Sequence, residues 1–284
     1  MRILRAIPSI LLGCTSAPAA PPSRIVAIGD LHGDPIQAQA ALRMVGVADA
    51  DGHWTGGSTI LVQTGDITDR GPDSRGVIDM IQKLQEEAPG QGGQVVALMG
   101  NHEAMNLMGD WRYVSEEDVK TYGGLEARKQ AYSPAGEDGA WLRTLPAVAL
   151  VGDTVFAHGG ITERWAKEGI ETINREVKLG LDARNEVHSP DGPLWYRGYV
   201  QDDEDLACMQ LKRSLAMLGA KRMVVGHTTR KDGLIQARCE GLLSVIDTGI
   251  SSHYGGHLAA WESLNGDARA IYPTKVSDIP DPSR

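Results

Sequence analysis

Residues 24–33, Arg24-Ile25-Val26-Ala27-Ile28-Gly29-Asp30-Leu31-His32-Gly33, decide how the fold is read. An apolar run without polar alternation predicts a short strand buried on both faces. Gly29 ends that run, and Asp30 and His32 occupy the turn behind it. Pro35 then opens a helical pattern to about residue 44, since proline suits a first helical turn. The same order returns twice. Residues 59–63 repeat the strand signal and lead into Gly65-Asp66-Ile67-Thr68-Asp69-Arg70-Gly71, after which Pro72 and Asp73 open a helix to about residue 87. Residues 94–99 form a third strand, followed by Gly100-Asn101-His102-Glu103. Strand, polar loop and helix in repetition define an α/β sheet with its site at the strand C-termini.

Further along, residues 104–143 are helical, polar and aromatic, and predict a helical insertion beside the site. Residues 147–151 and 154–157 predict a hairpin across Gly152-Asp153, closed by His158-Gly159-Gly160. Helical patterns follow over residues 162–184, with a break near Gly169, and over residues 203–218. A strand at 221–225 ends on Gly226-His227. The runs at 234–238, 242–246, 257–261 and 268–272 are expected to be antiparallel strands of a second sheet. Residues after Pro273 are expected to form a loose end. No internal repeat or linker interrupts the chain, so residues 23–275 predict one domain, with a flexible tail over 276–284.

At 284 residues the chain can bury a large core without disulfide staples. A single Phe leaves that core to branched aliphatics and alanine. The formal net charge of -9 excludes a nonspecific binder of nucleic-acid polymers. Any affinity for phosphate must therefore come from a local site that inverts the global sign, as bound cations do.

The glycine-framed turns supply that site. Asp30 and His32 offer an oxygen and a nitrogen ligand from one turn. Asp66 offers a carboxylate able to bridge two cations, Asn101 a neutral amide oxygen, and His158 and His227 two imidazoles. This mixture suits Mn, Fe or Zn better than the oxygen-only preference of Mg or Ca. No cysteine spacing for a structural zinc site is present. Two cations sharing one carboxylate point to phosphate-ester hydrolysis.

Taken as a set, Gly29 to Gly33, Gly65 to Gly71, Gly100 to Glu103, His158-Gly159-Gly160 and Gly226-His227-Thr228 resemble the signature blocks of calcineurin-like metallophosphoesterases. The second and third blocks look like the phosphoprotein phosphatase family. Trp195-Tyr196-Arg197-Gly198 and the N-terminus point to its bacterial Shewanella-like branch. The resemblance implies a two-sheet β-sandwich flanked by helices, with a dinuclear site at the strand C-termini. It implies that Asp30 and His32 hold one metal, that Asp66 bridges, and that Asn101, His158 and His227 hold the other, with Mn favoured and Fe or Zn as alternatives. Bridging hydroxide would be the nucleophile and His102 the general acid, oriented by Asp69. Arg70 and Arg197 would grip phosphate oxygens. The substrate would be a phosphorylated protein, with phosphotyrosine preferred. A bis-nucleoside polyphosphate or small phosphate-ester hydrolase is the enzymic alternative, and a non-catalytic metal-dependent phosphate-binding module the other.

Several residues carry plainer readings. Glu103 is expected to cap or brace its turn. His53, His188, His253 and His257 read as surface or packing residues, His253 being the one placed to line a cleft. Trp111, Tyr113 and Tyr122 read either as cleft walls or as core of the insertion. Residues 1–22 resemble a bacterial lipoprotein signal: Arg2 and Arg5, a short apolar stretch, then Gly13-Cys14. Export follows as an expectation, to the periplasm or to a membrane through a lipidated Cys14, with a cytoplasmic location as the alternative. Cys208 and Cys239 read as separate buried thiols, pairing in an oxidising compartment being the other possibility.

Overall fold

A computed structural model of the chain describes residues 22–183 and 185–283. The first half follows the strand–loop–helix order: β1 (Arg24–Ile28), α1 (Pro35–Met44), β2 (Ile60–Gln63), α2 (Ser74–Glu87), β3 (Gln94–Ala97) and α3 (Asn101–Leu107). The insertion is three short helices, α4 (Glu116–Thr121), α5 (Leu125–Ala131) and α6 (Glu137–Leu142). The hairpin β4 (Val148–Val151) and β5 (Thr154–Ala157) follows. Helices α7 (Glu163–Glu168), α8 (Ile170–Gly180), α9 (Gly198–Gln201) and α10 (Glu204–Leu218) lead into β6 (Arg222–Val225). The chain ends with β7 (Gln236–Arg238), β8 (Leu243–Val245), β9 (Ala260–Leu264), β10 (Asp267–Tyr272) and β11 (Lys275–Asp278).

Two mixed sheets result, ordered β11-β10-β9-β1-β2-β3 and β4-β5-β6-β8-β7. Strand periodicity sorts their side chains. Ile25, Ala27, Val62, Phe156, Val224 and Trp261 point into the space between the sheets. Val26, Ile28, Leu61, Val155, Ala157, Met223 and Val225 point outward into helices. Burial on both faces explains why β1 carries no alternation. The only Phe fills the inter-sheet layer, its ring 5.7 Å from that of Trp261.

Three expectations are corrected. The C-terminal runs do not build one antiparallel sheet. β7 and β8 join the sheet of β5 and β6, where β8 runs parallel to β6. β9 and β10 instead cross to the first sheet, β9 pairing antiparallel with β1. An amphipathic run states which face is buried but not which edge receives it. Beyond Pro273 the chain is not loose: β11 pairs with β10, and Ile279 is buried between the sheets. Cys208 and Cys239 are not separate thiols but a disulfide linking α10 to the end of β7, with Cα atoms 5.2 Å apart. Pairing across 31 residues is invisible in sequence because it depends on where α10 docks. Residues 1–21 of the targeting segment, Cys14 included, lie outside the described residues. Among the described residues no helix is long and apolar enough to cross a membrane.

Candidate metal centre and cleft

Every ligand-bearing turn sits at the C-terminal end of a strand: Asp30 and His32 after β1, Asp66 after β2, Asn101 and His102 after β3, His158 after β5 and His227 after β6. The turns are forced into uncommon backbone. His32, Asp66, Asp69, Arg70 and His227 all have positive φ, between 45° and 71°. Non-glycine residues avoid this region unless their surroundings fix them, and such strain clusters at functional sites. Gly100 is required by closeness: a Cβ there would lie 2.2 Å from the Asp66 amide nitrogen.

The six predicted ligands converge, and all are buried. Asp66 stands between the others. Its Oδ1 is 3.3 Å from His158 Nε2, and its Oδ2 is 3.7 Å from His32 Nε2. Donor atoms of Asp66, His158 and His227 all lie within 4.8 Å of one another, as do those of His32, Asp66 and His102. One carboxylate thus belongs to both clusters. Asn101 Oδ1 is 2.9 Å from His158 Nε2. Asp30 Oδ2 is 4.0 Å from His32 Nε2, and the Asp30 carboxylate accepts the His227 backbone N–H at 3.1 Å.

The donor chemistry fits divalent cations. His158 Nδ1 donates to the Thr64 carbonyl at 2.9 Å, His32 Nδ1 contacts the Thr68 carbonyl at 3.3 Å, and His227 Nε2 contacts the Trp195 carbonyl at 3.2 Å. Carbonyls only accept, so each ring keeps its other nitrogen as a lone-pair donor, as metal-binding imidazoles do. Burial pushes His32 down to about 4 and holds His227 well below its ordinary value, His158 and Arg197 adding to the effect. Both rings are therefore neutral and able to ligate. The acids present the complementary problem. Burial, Asp247 and Asp66 drive the Asp30 carboxyl well above its usual range. Asp247, buried beside it, accepts the Gly249 N–H on Oδ1 at 3.1 Å. Burial opposes ionisation of Asp66 too, yet His158 and His102 hold it well below the carboxylate range. Buried carboxylates crowded together are what a cation neutralises.

His102 faces the same centre but is held differently. Its Nδ1 is 2.8 Å from Asp69 Oδ2, while Nε2 lies 3.9 Å from Asp66 Oδ2. Glu103 braces as expected: fully buried, it accepts the amides of Asp66, Ile67, Thr68 and Gly100 at 2.8–3.0 Å.

A cleft of about 480 Å³ opens above these groups, with Arg70, Arg197, Tyr113, Trp195 and Tyr254 in its wall. The Arg197 guanidinium donates to the His227 carbonyl at 2.6 Å, and that of Arg70 stacks 3.9 Å from the Tyr113 ring. Tyr113 is thus a cleft wall, whereas the Trp111 and Tyr122 rings pack around Arg128. His188 packs against Trp195, its ring 5.3 Å away, and also lines the cleft. From the turn after β8, Tyr254 comes into the cleft wall, with the His253 ring 4.8 Å from its own. Tyr254 sits with its ring 4.9 Å from that of His32. Sequence reasoning also missed Asp247. Its signal was present, because Asp247-Thr248-Gly249 again puts an acid and a glycine behind a strand end. Asn106, Asp118 and Arg128, which surround Asp69, carried no such signal.

A family model described as calcineurin-like phosphoesterase matches residues 23–230. The chain belongs to that family. Its relatives place it beside the Shewanella-like protein phosphatases. It is 32% identical to Shewanella-like protein phosphatase 2 of Arabidopsis thaliana, over 81% of this chain and 72% of that protein. An uncharacterized protein of Schizosaccharomyces pombe is 35% identical over 90% of this chain and 82% of its own length. A cold-active protein-tyrosine phosphatase of a psychrophilic Shewanella species superposes with a TM-score of 0.80 at 26% identity, covering 90% of this chain and 80% of that one. This metallophosphoesterase is a phosphatase-type hydrolase whose fold implies divalent metals and a phosphorylated substrate.

Proposed function

We propose that this metallophosphoesterase is a phosphomonoesterase that removes phosphate from phosphotyrosine in proteins and is loaded with two divalent cations, manganese foremost. The observation that carries the reading is one cleft holding a shared carboxylate between two donor clusters, two guanidinium groups and a hydrogen-bonded Asp69–His102 pair. Asp30, His32 and Asp66 would hold one cation, and Asp66, Asn101, His158 and His227 the other. The mixed imidazole, carboxylate and amide set favours Mn, Fe or Zn. When bound, the pair would polarise the phosphoryl oxygens and activate water for in-line attack.

The remaining work falls to side chains. Arg70 and Arg197 hold the phosphate oxygens, for which a planar guanidinium is geometrically suited. Arg70 lines the cleft with its guanidinium held against the Tyr113 ring. His102 donates its Nε2 proton to the leaving oxygen while Asp69 fixes Nδ1 and stabilises the cation. No side chain takes the phosphoryl group. Tyr113 and Tyr254 supply aromatic walls for a phosphotyrosine ring, and the likeness to the Shewanella protein-tyrosine phosphatase supports the same preference.

We place the protein in an exported, oxidising compartment, anchored through Cys14. The lipoprotein-like N-terminus and the Cys208–Cys239 disulfide both support that location.

The test is turnover on metal-quantified protein with a phosphotyrosine peptide, a phosphoserine peptide and a dinucleoside tetraphosphate. The phosphotyrosine peptide is expected to give the highest kcat/KM. Faster tetraphosphate cleavage would make it a nucleotide hydrolase, and no turnover at full metal occupancy would make it a binding module.

A further inference from the structure

We propose that Arg128 of α5, which takes no place in the cleft wall, is the positioning residue for His102 and acts through Asp69 and Asn106. The inference rests on the reading of His102 as the acid.

The geometry is specific. Asp69 uses both carboxylate oxygens. Oδ2 meets His102 Nδ1 at 2.8 Å and accepts from Asn106 Nδ2 at 2.9 Å, while Oδ1 accepts from Arg128 at 3.3 Å. Arg128 also donates to Asn106 Oδ1 at 2.6 Å, so it orients the amide that reaches Asp69. Asn106 returns to the His102 carbonyl at 2.7 Å, which ties the backbone of the acid into the same network. On its far side Arg128 donates Nε to Asp118 Oδ2 at 2.7 Å. Asp118 Oδ1 accepts the Ser74 N–H at 2.5 Å, and Ser74 Oγ accepts the Asp69 N–H at 3.1 Å. Two arms from the insertion therefore grip Asp69, one on its carboxylate and one on its backbone.

A structural role alone accounts poorly for this arrangement. Arg128, Asp69 and Asp118 have fully buried side chains. Burying such ions is costly, and well-packed apolar residues often replace them with no loss of stability. Tyr132, Trp111 and Tyr122 already enclose the guanidinium, at 4.3 Å for Tyr132 and 5.5 Å for the other two, so apolar packing was within reach at this point in the fold.

The test compares kcat on an alkyl phosphate with kcat on an aryl phosphate of low leaving-group pKa, for wild type, Arg128→Met, Asn106→Leu and His102→Ala. A ratio taken within one preparation cancels the folded fraction, so partial destabilisation does not mask the answer. Metal content is measured alongside. Arg128→Met is expected to lower the alkyl reaction about 10–100-fold and the aryl reaction by no more than about threefold, with metal content unchanged. Asn106→Leu is expected to move the ratio the same way and carries the test if Arg128→Met does not fold. Arg128→Lys keeps the charge without the fork and should recover only part of the loss. If His102→Ala is alkyl-selective but neither Arg128→Met nor Asn106→Leu is, the positioning role is overturned and the acid stands. If His102→Ala is itself unselective, the acid assignment falls and this inference falls with it.

Discussion

The Glu103 carboxylate accepts the Asp66 backbone N–H at 2.8 Å, so a residue that touches no predicted substrate fixes the carboxylate shared by both donor clusters. The same oxygen reaches Gly100, and the other takes Ile67 and Thr68. One buried acid thus locks the loop after β2 to the turn after β3. Glu103→Gln replaces an acceptor oxygen with a donor facing amide hydrogens. It should cost about 2–4 kcal/mol of stability, because several buried donors lose an ionised acceptor together. Chemical denaturation measures that loss. A variant as stable as wild type with full metal content would contradict the bracing role.

Removal of the acid should depend on the leaving group. His102→Ala is expected to lower kcat on alkyl phosphates by about 10²–10⁴-fold and to affect low-pKa aryl phosphates much less, because the latter need little protonation. Equal loss on both would take His102 out of that role.

The pH profile follows from the Asp69 hydrogen bond. Burial opposes protonation of His102, but the charges of Asp66 and Asp69 and the Asp69 hydrogen bond raise it above the ordinary imidazole value. A general acid must be protonated, so activity of the metal-loaded enzyme on alkyl esters is present below its own His102 pKa, where bound cations offset the Asp66 charge, and falls as pH rises through it. Asp69→Asn removes one raising influence. The basic limb should then move to lower pH by roughly one unit. An unmoved or upward-shifted limb would separate Asp69 from the titration.

Both guanidinium groups should show themselves through product binding. Arg70→Ala and Arg197→Ala are each expected to weaken competitive inhibition by inorganic phosphate about tenfold or more, since each loses a charge-assisted pair. Metal content should be retained in both. Unchanged inhibition constants would make these arginines purely structural, Arg197 bracing the His227 carbonyl and Arg70 packing on Tyr113.

The disulfide offers an independent measurement. Cys208–Cys239 closes a loop of 31 residues, and such a crosslink contributes about 2–4 kcal/mol. Reduction, or Cys208→Ser, should lower the unfolding midpoint accordingly. Alkylation under denaturing, non-reducing conditions that labels both cysteines would show that the bond is absent.

Where the sequence was legible, the reason was local. Gly29-Asp30 and Gly65-Asp66 each end a strand, and a turn that must place a ligand beside backbone leaves a glycine as its mark. Helix α1 was readable from Pro35, and α2 from its Asp73 cap, whose side chain accepts the Gly76 N–H. What stayed hidden is non-local. The edge that takes β9 depends on pairing with β1, more than 230 residues earlier. The link from Arg128 to Asp69 spans 59 residues and follows no spacing rule. Tyr254 enters the cleft only because the turn after β8 brings it over His32. A buried acid such as Glu103 was readable from its place in a block, but its four backbone partners became apparent only once the loop after β2 and the turn after β3 had been brought together.

Crystals grown with manganese and measured at its absorption edge test the central claim most directly. Two anomalous peaks are predicted about 3.5–4 Å apart, flanking the Asp66 carboxylate, with Asp30 and His32 on one side and Asn101, His158 and His227 on the other. Full activity with no peak at Asp66, or with both peaks outside these six residues, would contradict it.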